Sequence, residues 1–410
     1  MADPIRMLHF ADVHIGMENY GQIDPETGTS SRVRDFLDRL DEVIDYAVAH
    51  EVDLAVFAGD AFKSRDPDPT HQREFASRIK RLADACPTLL LVGNHDMPGN
   101  PARANSVDIF RALQVPNVMV GHHAEGRVVE TRRGPVYLAW VPYPMRNRLL
   151  SREDNQGKSI DELEQALRRT VSDLVRQFAV EASEHDMPRV MAAHLSVAEA
   201  KFGSERSVML GHDVAVNNSA LAEPAWDYIA LGHIHRHQDL NPDGYPSVVY
   251  AGSLERIDFG EEGESKGFCW VQLTRGGTSW RFIPVHARPF QTIRVDARQA
   301  VDPTEAVRRE MRAVDAGAVV RVLVQLRSAQ EPSFHEREVI DELVGASSVQ
   351  IGREIEQPAR ARLGDIAPES LRPLELLARY LESRQVEPER ARSLLARAHQ
   401  LLERPEHENP

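Results

Sequence analysis

The chain has 410 residues, with 49 Lys+Arg against 63 Asp+Glu for a formal net charge of −14, and its content is 42% hydrophobic and 27% charged. That balance is too apolar for a disordered chain and too charged for a bundle of membrane helices, and the length suits two or three domains. Taken alone, the acidic charge argues against a nucleic-acid binder, which commonly carries a basic field.

From Ile5 to about Val285, short apolar runs alternate with helix-period segments. IRMLHFAD, VDLAVFAGD, TLLLVGNHD, VYLAWVPYP, RVMAAH, YIALGH, SVVYAGS and GFCWVQL read as strands, most of them stopping at Gly, Pro, Asn or Asp. Val33, Phe36, Leu37, Leu40, Ile44, Ala47 and Val48 recur at three- and four-residue steps, as do Ile160, Leu163, Leu167, Val171, Leu174 and Phe178; each set predicts an amphipathic helix. Strands alternating with helices predict an α/β fold with strands buried on both faces. A Pro-containing stretch at His286–Pro289 punctuates the chain, and QTIRVDA, TEAVRREMRAV, AVVRVLVQLRS and HEREVIDELVG then read as a small α+β unit ending near Arg362. Leu374, Leu377 and Leu381 mark one amphipathic helix. Ala391, Leu394, Leu395, Ala398, Leu401 and Leu402 mark another that Pro388 opens, and a polar tail follows Pro405.

Cys86 and Cys269 stand far apart with no CxxC pair, so neither a disulfide framework nor a thiolate zinc site is expected. The opening MADPIRMLHFADVH lacks the pattern of a secretory signal, and no run of about 18 apolar residues occurs, so a cytoplasmic location is expected.

Five predicted strands end in metal-type side chains. Asp12 and His14 follow the first, Asp60 the second, and Asn94, His95 and Asp96 the third; His194 follows RVMAA, and His233 and His235 follow YIALG. The C-terminal edge of an open α/β sheet is where loops converge on ligands, so residues distant in sequence can meet there. In GHIH, side chains two apart share a face, so His233 and His235 can enter one site while Ile234 turns away. Imidazole, carboxylate and amide oxygen without thiolate suit manganese, iron or zinc better than calcium. Two Asp, one Asn and four His are more ligands than one ion uses, so two ions are implied, with Asp60 as the natural bridge.

The ordered set DVH, GD, GNHD, a lone His after a strand, and GHIH resembles the calcineurin-like metallophosphoesterase superfamily. Within it the chain resembles the SbcD family, the nuclease subunit of the SbcC–SbcD DNA repair complex, and its archaeal and eukaryotic counterparts. VYAGSLERIDFGEEGESKGF is similar to that family's Gly-Ser-Leu-Glu-Arg loop and acidic segment; the likeness is clearest over residues 5–285 and weak in the tail. The resemblance implies a metallophosphoesterase β-sandwich flanked by helices over 1–285, an α+β DNA-capping domain over 286–362 and a helical partner-binding segment over 363–410.

It also implies that Asp12, His14, Asp60 and His235 hold one ion and that Asp60, Asn94, His194 and His233 hold the other, most readily Mn2+ with Mg2+ as the alternative. His95 then corresponds to the catalytic histidine, with Asp96 as its orienting carboxylate. Many family members carry a second His three positions after the Asp of the GD motif, where this chain has Lys63, a cation that can touch phosphate but cannot act as an imidazole.

The implied activity is 3′–5′ exonuclease on duplex ends and endonuclease on single strands, in DNA repair, recombination and replication. A homodimer and an SbcC-type coiled-coil ABC ATPase partner are implied with it. Lys63, Arg65 and Ser253 are candidate DNA contacts, joined by Arg146, Arg148 and Arg152 on loops; Leu374, Leu377, Leu381, Leu394, Leu395 and Leu401 are candidate partner contacts. His122, His123, His212 and His237 match no ligand position and are expected in solvated turns. A phosphoesterase acting on small phosphodiesters or phosphoproteins, and a scaffold without metals, remain as alternatives.

Overall fold

In the computed structural model of the chain, the described residues are 3–98, 100, 103–145, 159–203, 215–311, 314–356, 373–384 and 386–402. Arg146, Arg148, Arg152, His212 and the expected boundary near Arg362 lie outside them.

Two six-stranded sheets form the body. The first contains β1 (Ile5–Phe10), β2 (Leu54–Phe57), β3 (Thr88–Leu91), β4 (Val118–Gly121), β13 (Gly267–Leu273) and β14 (Ser279–Pro284), in the order β14-β13-β1-β2-β3-β4. The second contains β5 (Glu125–Thr131), β6 (Gly134–Val141), β7 (Arg189–His194), β10 (Tyr228–Gly232), β11 (Gln238–Asp239) and β12 (Ser247–Tyr250), in the order β11-β12-β10-β7-β6-β5. Each has four parallel strands, β1 to β4 in one and β12, β10, β7 and β6 in the other, with antiparallel strands added at the edges. A short parallel pair, β8 (Ser196–Val197) and β9 (Ala215–Val216), lies apart from both.

The two-residue period of a strand sorts the side chains into layers. Ile5, Met7, Leu54 and Val56 face inward and meet Leu138, Trp140, Val190, Ala192, Tyr228 and Ala230 of the second sheet. Leu8, Phe10, Ala55 and Phe57 face outward, onto α1 (Ser31–Ala49) and α2 (Pro69–Ala85). The outer face of the second sheet packs Ala139, Met191, Ile229 and Leu231 against Leu167, Val171, Val175 and Phe178 of α4 (Ile160–Ser183). Two short helices, α3 (Asp108–Ala112) and α5 (Asn218–Leu221), complete this body.

The helices begin where their residues cap them. Ser30 accepts from the Arg32 amide, Asp68 from Thr70 ahead of Pro69 at the first turn, and Ser159 and Glu162 form a reciprocal capping box.

After β14 the chain builds a smaller three-stranded parallel sheet from β15 (Phe290–Asp296), β16 (Val319–Arg327) and β17 (Ser348–Glu356). The crossovers carry α6 (Pro303–Glu310) and α7 (Glu336–Glu342), and Val307, Val320, Val322, Val324 and Val339 form a core of its own. Two last helices, α8 (Pro373–Ser383) and α9 (Pro388–Leu402), pair as a hairpin. Among the described residues, no helix is long and apolar enough to cross a membrane.

Phe75 of α2 is fully buried among the rings of Phe57, Phe62 and Phe110, at 5.9, 5.2 and 6.1 Å. Phe75→Ala removes a ring from a layer that cannot collapse and should destabilise the fold by about 3–5 kcal/mol, read as a fall in the denaturant midpoint.

Candidate metal centre

The parallel strands β1, β2, β3, β7 and β10 all end on one edge of the sandwich, and every expected ligand lies on or just past one of those ends. The backbone there is strained. Asp12, His14, Asp60 and His233 adopt φ of 52°, 48°, 61° and 100°, a left-handed region that side chains disfavour and that clusters at functional sites. Two glycines make room for the convergence: a Cβ at Gly59 would strike the His194 ring, and one at Gly93 would strike the Asp60 carboxylate. These are the glycines of GD and GNHD, required by crowding at the centre.

Asp12, His14 and His235 bring one donor atom each within 4.8 Å of one another, as do His14, Asp60 and His95, and Asp60, His194 and His233. His14 Nε2 lies 3.0 Å from His235 Nε2 and 3.8 Å from Asp60 Oδ2. On the other side, His194 Nε2 lies 3.3 Å from Asp60 Oδ2 and 3.0 Å from Asn94 Oδ1, which is also 3.0 Å from His233 Nδ1. Asp60 therefore stands between the two groups. The His233 amide donates to both oxygens of Asp12, at 3.0 and 3.1 Å.

The electrostatics of this arrangement favour positive charge. Burial holds the His14 imidazole well below its usual range, with His235 adding to the effect. Burial pushes Asp12 up. For Asp60 burial acts the same way, but His194, then His95 and His14, outweigh it and hold the carboxyl well below the usual range. Burial lowers His194, yet the Asp60 carboxylate more than offsets this and lifts it to about 9.

The tautomers sharpen the point. His194 Nδ1 donates to the Ala58 carbonyl at 2.7 Å and His235 Nδ1 to Glu261 Oε1 at 2.8 Å, so each ring turns its Nε2 inward, the face it would offer a cation. Inward-facing ring nitrogens, carboxylate oxygens and an amide oxygen are thereby brought together around Asp60. Divalent cations fit this set of nitrogen and oxygen acceptors, and the outer hydrogen bonds are those that orient histidine ligands.

Other expected residues stand elsewhere. His95 is half-buried beside His14, with ring centroids 4.9 Å apart, and its amide donates to Asp60 Oδ1 at 2.9 Å. Its Nδ1 donates to the Lys63 carbonyl at 2.8 Å, so a backbone oxygen orients the ring.

Asp96 does not orient His95, which corrects the expected role. Its fully buried carboxylate accepts from the amides of Asp60, Ala61 and Gly93, each at 3.0 Å, and from Ser106 Oγ at 3.2 Å. Burial and then the Asp60 carboxylate push it up to about 7, against the pull of those donors.

Ser253 is a second correction. It is fully buried and its hydroxyl donates to the Glu255 carbonyl at 3.0 Å, so it cannot reach DNA. Lys63 and Arg65 are exposed. His122 is half-buried and His123 exposed, whereas His237, expected in a solvated turn, stacks on Phe282 at 4.0 Å and donates to the Tyr250 carbonyl.

Sequence reasoning missed Glu261 and Lys266, both buried behind His235. Glu261 Oε2 pairs with Lys266 Nζ at 2.9 Å; burial opposes the Glu261 charge, but Lys266 and His235 hold its carboxyl well below the usual range. The only signal was an acidic cluster, EEGE, which ordinarily marks a solvated turn.

The calcineurin-like phosphoesterase family matches residues 5–237. Among curated proteins, the chain is 29% identical to the D component of the nuclease SbcCD from Escherichia coli K12 over 280 residues, 66% of each chain. It is 30% identical to the same component of the nuclease from Rhodobacter capsulatus over 314 residues, 72% of each. It is 26% identical to the DNA double-strand break repair protein Mre11 of Haloferax volcanii over 377 residues, 88% of this chain and 70% of that one. The match thus spans about two thirds of the length of these relatives.

Asp96→Ala would strand four buried donors and loosen the loop carrying Asp60. The expected cost is about 3–5 kcal/mol of stability, together with weaker metal uptake, measured by chemical denaturation and elemental analysis. Unchanged stability would return Asp96 to a role confined to His95.

Proposed function

The chain belongs to the calcineurin-like phosphoesterase family, and from that premise we propose that it is a two-metal DNA nuclease of the SbcD type. The observation that carries this reading is the set of acceptors from five strand ends, divided into two groups by Asp60, with His95 at their margin. A metal-dependent phosphoesterase is the coarser statement that the centre supports directly. The relatives named as nucleases and as a DNA double-strand break repair protein favour DNA as the substrate.

When bound, two divalent ions supply Lewis acidity toward phosphoryl oxygens and acidify water. Asp12, His14, Asp60 and His235 would hold one, and Asp60, Asn94, His194 and His233 the other, with Mn2+ the best match and Mg2+ the alternative. The residues do the remainder. His95, oriented through Nδ1 by the Lys63 carbonyl, presents Nε2 to a phosphodiester, where it can stabilise phosphoryl charge or protonate the leaving 3′-oxygen. Asp96 holds the Asp60 and Asn94 loops at a fixed separation, as in-line attack requires. Lys63 and Arg65, both exposed, would meet backbone phosphates in this reading.

In this reading the enzyme trims duplex ends 3′ to 5′ and nicks single strands during double-strand break repair, in the cytoplasm at the nucleoid. Residues 286–362 serve as the DNA-capping unit. A homodimer belongs to the same reading. An SbcC-type ATPase would take the C-terminal hairpin. Leu374 and Leu395 line an apolar groove there with Ala378, Leu394 is exposed and Leu377 half-buried, while Leu381 is buried in the hairpin and the Leu401 side chain lies outside the described residues.

His95→Ala should leave two ions bound and lower cleavage of end-labelled linear DNA with Mn2+ by at least about 100-fold. Surviving cleavage would remove His95 from its role. A wild-type enzyme that hydrolysed a chromogenic phosphodiester far better than DNA would assign it to small phosphoesters instead.

A further inference from the structure

The Asp12, His14 and His235 group is backed by a buried carboxylate whose carrier is gripped by the small C-terminal unit. Glu261 closes a single 3-10 turn, Phe259–Glu261, begun by Asp258, whose carboxylate accepts from the Gly260 amide at 2.7 Å. One Glu261 oxygen receives the His235 Nδ1–H at 2.8 Å; the other receives Lys266 Nζ at 2.9 Å and the Ile257 amide at 3.0 Å. With three partners on its two oxygens and no exposure, Glu261 is held where the turn puts it.

The turn, in turn, is held from the sheet of residues 290–356. The Phe259 ring meets Phe290 of β15 edge-on at 5.0 Å, Tyr20 closes the same cluster, and the Arg321 guanidinium from β16 stands 4.3 Å over the Phe259 face. Next to it, both oxygens of Glu262 accept from Thr292 of β15, from the amide at 2.8 Å and the hydroxyl at 2.6 Å. Arg256 adds a third tie, donating to the carbonyls of Glu261 and Glu264 on one side and of Arg288 on the other. Contacts from Phe290, Arg321 and Thr292 therefore run from the small unit to the turn, and one charged hydrogen bond runs from the turn to a candidate ligand.

We propose that Glu261 is a positioning residue that sets the cation affinity of the Asp12–His14–His235 group, and that the 290–356 unit fixes Glu261 in place through the Phe259–Glu262 turn. The inference rests on the metal-centre reading. A carboxylate on the far nitrogen of a ligating imidazole fixes its tautomer and raises its basicity, and removing such a partner weakens metal binding by about 10–100-fold. The consequence is a metal centre whose two halves differ: one is backed by backbone carbonyl at His194, the other by a side chain whose place depends on a second folding unit.

The test titrates the full chain with Mn2+ by calorimetry and by electron paramagnetic resonance, alongside apo melting curves. Wild type should take up two ions. In Glu261→Gln, which leaves Lys266 paired with Glu264 at 2.9 Å, one binding step should weaken by about 10–100-fold while the other stays within about twofold. Thr292→Val, which touches no ligand, should weaken the same step by about 2- to 30-fold.

Both steps unchanged in Glu261→Gln, or both weakened equally together with a lower apo melting temperature, would overturn the positioning role. Thr292→Val binding like wild type would overturn the link to the small unit. Wild type taking up fewer than two ions would overturn the metal-centre reading itself and this inference with it.

Discussion

Acceptor atoms brought within 3–4 Å of one another in a dry interior repel unless positive charge lies among them. At the strand ends of this sandwich the ring nitrogens are turned inward: the other nitrogens of His194 and His235 are occupied by a carbonyl and a carboxylate, leaving Nε2 of His194 to face Asp60 and Asn94 and that of His235 to face His14. The Asp60 carboxylate draws His194 toward its charged form and so offsets part of this crowding, and divalent cations among the remaining acceptors would offset the rest. The rest of the architecture brings these atoms together and prevents them from relaxing apart. Two sheets facing each other with parallel strands running to one edge supply five loops within reach of a single point, and left-handed backbone at four of the residues holds the side chains where an unstrained loop would release them.

Asp96 explains why the loops do not separate. A carboxylate that accepts three amides from two different loops and a hydroxyl from a third segment fixes their spacing as a bolt would, and it lies directly beneath Asp60 without facing the open side. The consequence for chemistry is indirect but strong: His95 and Asn94 are neighbours in sequence, yet one faces the outer margin and the other the second group because the turn between β3 and the following loop is pinned from below. His95 is then oriented by a backbone carbonyl, at Lys63. That the residue at this position is lysine where many family members have histidine leaves this contact intact, since the carbonyl and not the side chain makes it.

Much of this was legible before the structure. The alternation of β1 and the helical periods of α1 and α4 are local properties, and a strand followed by Asp, His or Asn announces itself within a few residues. The residues of the two groups could be named for that reason. What failed was the direction of side chains beside those motifs. Adjacency in sequence suggested that Asp96 serves His95, but successive residues in a tight turn diverge, and Asp96 points back under the loop. Ser253, in a loop assigned to DNA by likeness, points inward for the same reason. Glu261 was hidden differently: its partner His235 is separated from it by two intervening strands, β11 and β12, and nothing in an acidic run distinguishes a buried carboxylate from a solvated one. His237 escaped because burial by Phe282 arises from strand pairing between β13 and β14, which no single segment encodes.

The overall charge of −14 acquires its meaning from this geometry. Two divalent cations would add about four positive charges that a residue tally omits, and they would be placed at the floor of the centre, where a low dielectric lets their field reach furthest. An acidic exterior then ceases to argue against a polyanionic substrate, because repulsion over the outer surface is screened within about 8 Å at physiological salt whereas attraction at the centre acts at contact. In the proposed function it also makes DNA affinity dependent on occupancy of the metal groups, because exposed basic side chains such as Lys63 and Arg65 stand on a chain of net charge −14. In that same proposed function binding and catalysis are tied to the same ions, and the group backed by Glu261, a side chain held in place by the adjoining unit, becomes the point at which that tie can be loosened.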